Sequence, residues 1–338
     1  MTRTTMTWKP VLVGVDASAA AERAAALGWK IAHRARAECR LVHVMPDYTG
    51  EPYAVLLPPN FAALHGAVMK ETRRELETTL RGVLPGEVAA TLELRAGNAG
   101  HVLLELAKNA ELVVLGGKHH GTLGRWLAGS TAHQVARASE APVLVAGPSA
   151  DAPRRVLAAV DLSGAAIPTV HAAAQIATLF GADLRVLHVV ESVPPAFAAA
   201  GTSYGEMAFG LGGPPVPLMD WETWSRIARE TFDQAVWPEV DYRGATPLVM
   251  RGDAETEIRR QVAQWQPDLL VVGTHGKSMV DRLLMGSVTH HLLTDLPASL
   301  LVVPMPARVG RSSPPVPFSH SREGGPVARV PALPRAVV

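Results

Sequence analysis

The chain has 338 residues, a length that suits about two domains. It is 48% hydrophobic and 19% charged with a net charge of +1, which leaves no electrostatic footprint for nucleic acid or an anionic membrane surface. The single cysteine, Cys39, excludes an internal disulfide, the N-terminal MTRTTMTWKP lacks a secretory apolar core, and no apolar run reaches the ~18 residues of a membrane span, so the expected setting is the cytoplasm.

In chain order, residues 11–15 form a continuous apolar run, the pattern of a strand buried on both faces, and Asp16 follows it. Residues 19–37 are alanine-rich and free of proline, which predicts a helix. Residues 40–45 predict a second strand, and residues 46–60, with Pro46, Pro52, Pro58 and Pro59, a loop. Residues 61–81 predict a helix with Leu64, Val68, Leu76 and Leu80 on its apolar face. Residues 89–95 alternate as a strand, 99–109 read as a third helix and 112–115 as a fourth strand. A fourth helix is expected to begin near Gly129, with a last strand over 143–146.

From there the chain repeats itself. VLVGVDAS (11–18) returns as VLAAVDLS (156–163), which sets Asp16 and Asp161 145 residues apart. LVHV (41–44) returns as VLHV (186–189) at the same spacing. Residues 116–130 return as 273–287 and residues 141–145 as 298–302, both now 157 apart. The 12 extra residues fall between His188 and Gly273, where residues 192–217 are rich in proline and glycine. Two domains are therefore expected, 1–149 and 150–306. Residues 307–338, rich in Pro and Arg, are expected to be a disordered tail.

The βαβαβαβαβ alternation of each half argues for an α/β protein of two tandem, doubly wound, open parallel five-stranded sheets of order 3-2-1-4-5, a Rossmann-like arrangement. In that order strands one and four adjoin where the winding reverses, and ligands bind outside their carboxyl ends. Asp16 and Gly116 close those strands in the first half, and Asp161 and Gly273 in the second. His43 and His188, inside apolar strands, read as core histidines, and Trp221 and Trp224 as packing residues of a helix.

Residues 272–289 read VGTHGKSMVDRLLMGSVT. An apolar strand leads to Gly273 and Gly276, nine residues follow, and Gly286-Ser287 opens a helix. Glycines let the backbone turn and approach a ligand closely. Free N–H groups and the dipole at a helix start suit phosphate, and Ser287 offers a hydroxyl as cap or as phosphate donor. A tight strand-to-helix connection without ligand is the competing reading of the same glycines.

This stretch resembles the nucleotide-binding loop of the universal stress protein family (UspA-like, adenine nucleotide alpha hydrolase-like fold) in its ATP-binding branch. The pattern of that branch, G-x2-G-x9-G-[ST], is matched at every position. The resemblance covers both repeats and implies ATP, or another adenine nucleotide, together with Mg2+. It implies that Asp161 contacts the nucleotide, that Val189 packs on the adenine, and that Ala159 and Val160 border the adenine pocket. Val272, Gly273, His275, Gly276, Gly286, Ser287, Val288 and Thr289 would surround ribose and phosphates. The matching positions of the first half are Gly14, Val15, Asp16, Val44, Leu115, Gly116, Lys118, Gly129, Ser130 and Thr131. That half departs from the pattern, because His119 stands at the second glycine and only glycine takes φ > 0 freely. Lys118 and its neighbouring histidines are candidates to compensate by pairing with phosphate. The histidines have no Cys or carboxylate at metal-ligand spacing.

The implied role is a nucleotide-dependent stress-response regulator, at most a weak ATPase, since no Walker A loop, paired carboxylates or Ser-His-Asp set is present. The alternatives are an enzyme of a related adenine-nucleotide-binding α/β superfamily, for which the loop offers Lys277, Asp281 and Arg282, and a nucleotide-free scaffold. The resemblance also implies an intramolecular pseudo-dimer paired through the strands at 143–146 and 300–303, and leaves open a homodimer through last strands.

Overall fold

The computed structural model describes residues 9–47, 61–120, 125–147, 151–190, 221–240, 244–274 and 285–305. The first half runs β1 (Val11–Gly14), α1 (Ala19–Ala35), β2 (Cys39–Met45), α2 (Phe61–Leu80), α3 (Gly86–Ala89), β3 (Glu93–Ala96), α4 (Ala99–Ala107), β4 (Leu112–His120), β5 (Arg125–Ala128), α5 (Ser130–Ala138) and β6 (Val143–Ala146). The second half runs β7 (Arg155–Val160), α6 (Ala166–Phe180), β8 (Asp183–Val190), α7 (Trp221–Thr231), β9 (Thr246–Arg251), α8 (Ala254–Trp265), β10 (Leu269–Gly273), α9 (Ser287–Thr294) and β11 (Ser299–Val303). A π-helical turn over Phe232–Val236 continues α7.

The strands form one sheet in the order β3-β2-β1-β4-β6-β11-β10-β7-β8-β9, with β5 paired to β4 off this path. Within each half the order is the expected 3-2-1-4-5. β1 lies between β2 and β4, with Val13 opposite Leu41 on one side and Val114 on the other, all parallel. β7 lies between β8 and β10 in the same way. Each half therefore reverses its winding between its first and fourth strands, which opens a crevice at their carboxyl ends.

The halves meet at an antiparallel seam, where β6 pairs with β11 through Val143–Val302, Leu144–Leu301 and Val145–Leu300. All six side chains are at most 2% exposed. At roughly 1.5–3 kcal/mol for each fully buried Val or Leu, their gross burial is on the order of 10 kcal/mol. The second edge of each seam strand is also occupied, β6 by β4 and β11 by β10. Among the described residues both edges of β6 and of β11 are therefore paired within the chain.

Alternation along the strands splits the core between the two faces of the sheet. Val11 and Val13 of β1, Val271 of β10 and Leu301 of β11 face one side, against Ala24, Ala25 and Ile31 of α1, Val170 and Ala173 of α6, and Phe232. Leu12, Leu270, Val272 and Val302 face the other, against Leu103 of α4, Val135 of α5, Ile258 of α8 and Leu292 of α9. Alanines on α1 and α6 let both helices lie close to the strands. Gly28 serves the same end, because a Cβ there would stand 2.6 Å from Val13 Cγ2. Trp221 packs against the first of these clusters. No helix among the described residues is long and apolar enough to cross a membrane.

Three local expectations are corrected. The strand expected over 89–95 is β3 at Glu93–Ala96, preceded by the short helix α3, whose N-cap is Pro85. Thr91 then closes a turn by donating its hydroxyl to Val88 O at 2.8 Å, and the strand starts late for that reason. On α2, Leu76 and Leu80 are buried, but Leu64 and Val68 are 55% and 45% exposed, because only the C-terminal half of the helix lies over the core. The fourth strand does not end at Leu115 but continues to His120. Residues 192–217 and 307–338, and most of the expected loop over 46–60, lie outside the described residues.

Candidate functional site

In the second half, β7 delivers the chain to Asp161 at the switch point. Leu162 adopts a left-handed backbone with φ of 57°, and Ser163 N–H donates to Asp161 Oδ1 at 3.0 Å. Ser163 Oγ accepts from Ala165 N–H at 3.2 Å. The N-cap position of α6 is Ala165, with no side-chain cap. Asp161 is therefore not a helix cap, and the bond from Ser163 N–H to its Oδ1 closes an Asx turn. Its other oxygen, Oδ2, is buried and has no hydrogen-bond partner among the described residues. Such an atom normally finds a donor, since an unsatisfied buried acceptor costs ~1–3 kcal/mol, and more when charged. On the preceding residue, the Val160 carbonyl accepts from His188 Nδ1 at 2.9 Å.

The neighbouring strand β10 ends at Gly273, with Val272 opposite Ala159. Thr274 N–H donates to Val303 O, and Gly286 N–H returns to Thr274 O, both at 2.9 Å. His275 and Gly276 lie outside the described residues; these bonds fix the chain on either side of them. Gly286 is the N-cap of α9, with φ −60° and ψ 146°, and makes no side-chain cap bond. Ser287 is the first helical residue and exposed, so it is not the cap. Thr289 donates its hydroxyl to Gly273 O at 2.7 Å, tying the helix start to the strand end. α8 holds the same helix from behind. Arg259 pairs with Asp295 at 3.2 Å, and Glu255 accepts from His291 Nδ1 at 2.7 Å.

The side chains of Ala159, Val189, Val272 and Val288 all belong to the face that carries α8 and α9. The sequence had given no reason to add Met250 and Met285, yet both are half-buried on that face. Met250 lies beside Val189 in the β8–β9 register. The period of two along β9 was the available signal for Met250, and none marked Met285.

The first half places its counterparts differently. Asp16 Oδ1 accepts from Ser18 N–H at 3.0 Å and from the Ser18 hydroxyl, and Ser18 in turn caps α1 by accepting from Ala21 N–H at 3.2 Å. Asp16 is exposed. His43 Nδ1 donates to Val15 O at 2.7 Å. Gly14, beside which Leu115 Cδ2 would lie 2.6 Å from an added Cβ, stands where the second half has Ala159. Leu115 itself matches Val272, so Gly14 with Leu115 and Ala159 with Val272 fill similar volumes. Val44 is half-buried on the face of α4 and α5.

Gly116 has a packing reason of its own. A Cβ there would stand 2.7 Å from the backbone carbon and oxygen of Ala20 on α1. Past it the backbone forms a β-ribbon, Gly117 opposite Ala128, Lys118 opposite Leu127 and His119 opposite Trp126. Extended pairing replaces the glycine loop where His119 stands at the second glycine position. Gly129 caps α5 with φ −70° and no side-chain bond, and Ser130 and Thr131 open the helix. An added Cβ at Gly129 would lie 3.2 Å from Lys118 Cε and 3.8 Å from its Nζ. A lysine ammonium thus stands at the positive end of a helix whose first turn has no acid. That charge is the wrong one for the dipole unless an anion shares the place.

The two helix starts are linked across the molecule, because the rings of His133 on α5 and His290 on α9 lie 5.6 Å apart. Burial and the neighbouring His290 hold His133 below the usual histidine range. Burial and Glu38 push the Cys39 thiol up to about 12.

Comparison with known proteins agrees with this architecture. The chain is 28% identical over 316 residues to a universal stress protein from Mycolicibacterium smegmatis, covering 87% of this chain and 96% of the relative. A crystal structure of a universal stress protein from Archaeoglobus fulgidus matches with a TM-score of 0.58 at 15% identity, over 90% of this chain and 100% of that one. A putative universal stress protein from Pseudomonas aeruginosa matches with a TM-score of 0.52 at 16% identity, over 89% and 95%. The sequence profile described as Universal stress protein family matches residues 7–147 and 228–304, more than half of the chain. The repeated α/β halves, the two switch-point crevices and this match agree, and the chain belongs to the universal stress protein family.

Proposed function

We propose that the chain binds an adenine nucleotide, ATP with Mg2+, in the crevice between β7 and β10, and works as a nucleotide-dependent regulator in a stress response rather than as a turnover enzyme. The observation that carries this reading is the buried, unpartnered Oδ2 of Asp161 beside a helix start that no side chain caps. A carboxylate oxygen needs a donor, and the nearest donors on a nucleotide are ribose hydroxyls, since phosphates repel it. The first-turn N–H groups of Ser287, Val288 and Thr289, which no side chain caps among the described residues, and the positive end of α9 suit the phosphates. Val189 and Ala159, half-buried and apolar, suit a base, and Val160, Val272, Gly273, His275, Gly276 and Gly286 complete the set. Mg2+, held chiefly by the phosphates, would neutralise part of their charge.

The first half offers a second, weaker site built from Gly14, Val15, Asp16, Val44, Leu115, Gly116, Gly129, Ser130 and Thr131, with Lys118 as phosphate partner. Its aspartate is exposed to solvent, with no buried acceptor lacking a donor, and this supports the lower rank. The domain division at 149/150 and an intramolecular pseudo-dimer are supported by the repeat and the β6–β11 seam. A cytoplasmic setting is supported by the single, half-buried cysteine.

The test is nucleotide content after heat extraction, and ATP·Mg2+ titration, of the wild type and of Gly286→Asp. Aspartate suits the N-cap backbone at 286, so the variant keeps its helix, but its charge opposes phosphate. Adenine nucleotide bound to the wild type and lost from a folded Gly286→Asp supports the reading. A wild type that neither carries nor binds ATP overturns it.

A further inference from the structure

We infer that His188 is a positioning residue of the nucleotide site, whose ring N–H holds the Val160 carbonyl and so aims the free oxygen of Asp161 at a ribose hydroxyl. The inference rests on the nucleotide reading above.

His188 interrupts the otherwise apolar end of β8 and is only 6% exposed. An imidazole in that place needs a reason, because burying its polar atoms without hydrogen bonds is unfavourable. Its Nδ1 lies 2.9 Å from Val160 O. A carbonyl only accepts, so Nδ1 carries the proton and the tautomer is fixed. Val160 and His188 are the last register pair between β7 and β8. Beyond that pair the chain leaves the sheet through Asp161 and the left-handed Leu162. The peptide before the carboxylate is thus held by the imidazole, and the carboxylate itself by Ser163 N–H on Oδ1. Two anchors on either side leave Oδ2 little freedom of direction.

The first half builds the same brace. His43 Nδ1 lies 2.7 Å from Val15 O, and both bonds span 28 residues. There Ser18 N–H and the Ser18 hydroxyl both donate to Asp16 Oδ1, and the carboxylate is exposed to solvent. The brace is common to both halves, but among the described residues only the second leaves a carboxylate oxygen buried without a partner.

The chemistry of the side chain supplies the test. Asn carries its amide nitrogen where histidine carries Nδ1, whereas Gln places it near Nε2 and Leu has no donor. The full chain and its His188→Asn, His188→Gln and His188→Leu variants are titrated with ATP and with 2′,3′-dideoxy-ATP, both with Mg2+. The wild type is expected to prefer ATP by about tenfold or more, the worth of one charge-assisted hydrogen bond. His188→Leu and His188→Gln are expected to lose that preference with little change in dideoxy-ATP affinity, and His188→Asn to keep it. If His188→Leu does not fold, the Asn/Gln pair carries the comparison. Parallel weakening of both nucleotides would mean a purely structural role and overturns the inference, as does an ATP preference that survives in His188→Gln. A wild type that binds both nucleotides alike overturns it too while the nucleotide reading stands, and one that binds neither overturns both.

Discussion

Replacing Asp161 and Asp16 separately by alanine separates a carboxylate waiting for a ligand from one that serves the fold. Asp161→Ala removes the Asx bond to Ser163 N–H, worth ~0.5–1.5 kcal/mol net. It also removes a buried oxygen without a donor, whose standing cost is ~1–3 kcal/mol. The nucleotide-free variant is therefore expected to be as stable as the wild type or slightly more so. Asp16→Ala removes the group that braces Ser18, the cap of α1, and is expected to lose part of a cap worth about 1 kcal/mol. Urea unfolding of the nucleotide-free chains measures both. With ATP at one hundred times its wild-type Kd, the wild type gains about 2.7 kcal/mol. Loss of one charge-assisted hydrogen bond, ~2 kcal/mol, raises Kd about 30-fold and cuts that gain to about 0.9 kcal/mol in Asp161→Ala. Equal destabilisation of the two nucleotide-free variants, or an undiminished ATP-induced gain in Asp161→Ala, would refute the reasoning.

Further expectations concern packing, charge and pH. Gly116→Ala forces a Cβ to within 2.7 Å of Ala20 backbone, so it should lower the melting temperature with or without nucleotide; an unchanged melt would show that α1 shifts freely. Leu301→Ala, at the β6–β11 seam, should cost ~2–5 kcal/mol in urea unfolding, as for other buried leucines. Lys118→Ala should weaken the first site and leave the second untouched, which titration of the Asp161→Ala background resolves. His133 has its pKa lowered in the folded state, so the unfolded chain binds its proton more readily. Its contribution is present above the unfolded value of about 6.5 and is lost as pH falls through the folded one. His133→Gln should flatten the acid side of the stability profile over that window, which chemical unfolding at several pH values checks.

Much of this architecture is legible in the sequence because strand burial leaves such clean signals. Runs such as VLVG and LLVVG have no polar residue to confuse them, and the internal repeat fixes which strands are equivalent. The switch-point positions of Asp16, Gly116, Asp161 and Gly273 follow from that alone. What stayed hidden depends on distances. Gly116 reads as a ligand-binding glycine, but its nearest constraint is the Ala20 backbone, and a sequence does not separate the two demands. The two aspartates look alike in VDAS and VDLS, yet one is exposed and braces the cap Ser18 while the other keeps a buried oxygen without a partner beside the left-handed Leu162. Periodicity placed Leu64 and Leu76 on the same helix face but could not say how far α2 extends over the sheet. His119 marked a departure from the glycine pattern, but the β4–β5 ribbon that takes its place is a matter of backbone pairing.

The seam between β6 and β11 joins two halves that are covalently one chain. In an assembly of identical subunits every substitution appears twice, and a change harmful to one crevice harms both. Here a residue occurs once, so the crevices drift independently: His119 stands in one half while its counterpart remains Gly276 in the other. A substitution in one crevice therefore leaves the other as it was, so the two can differ in what they accept.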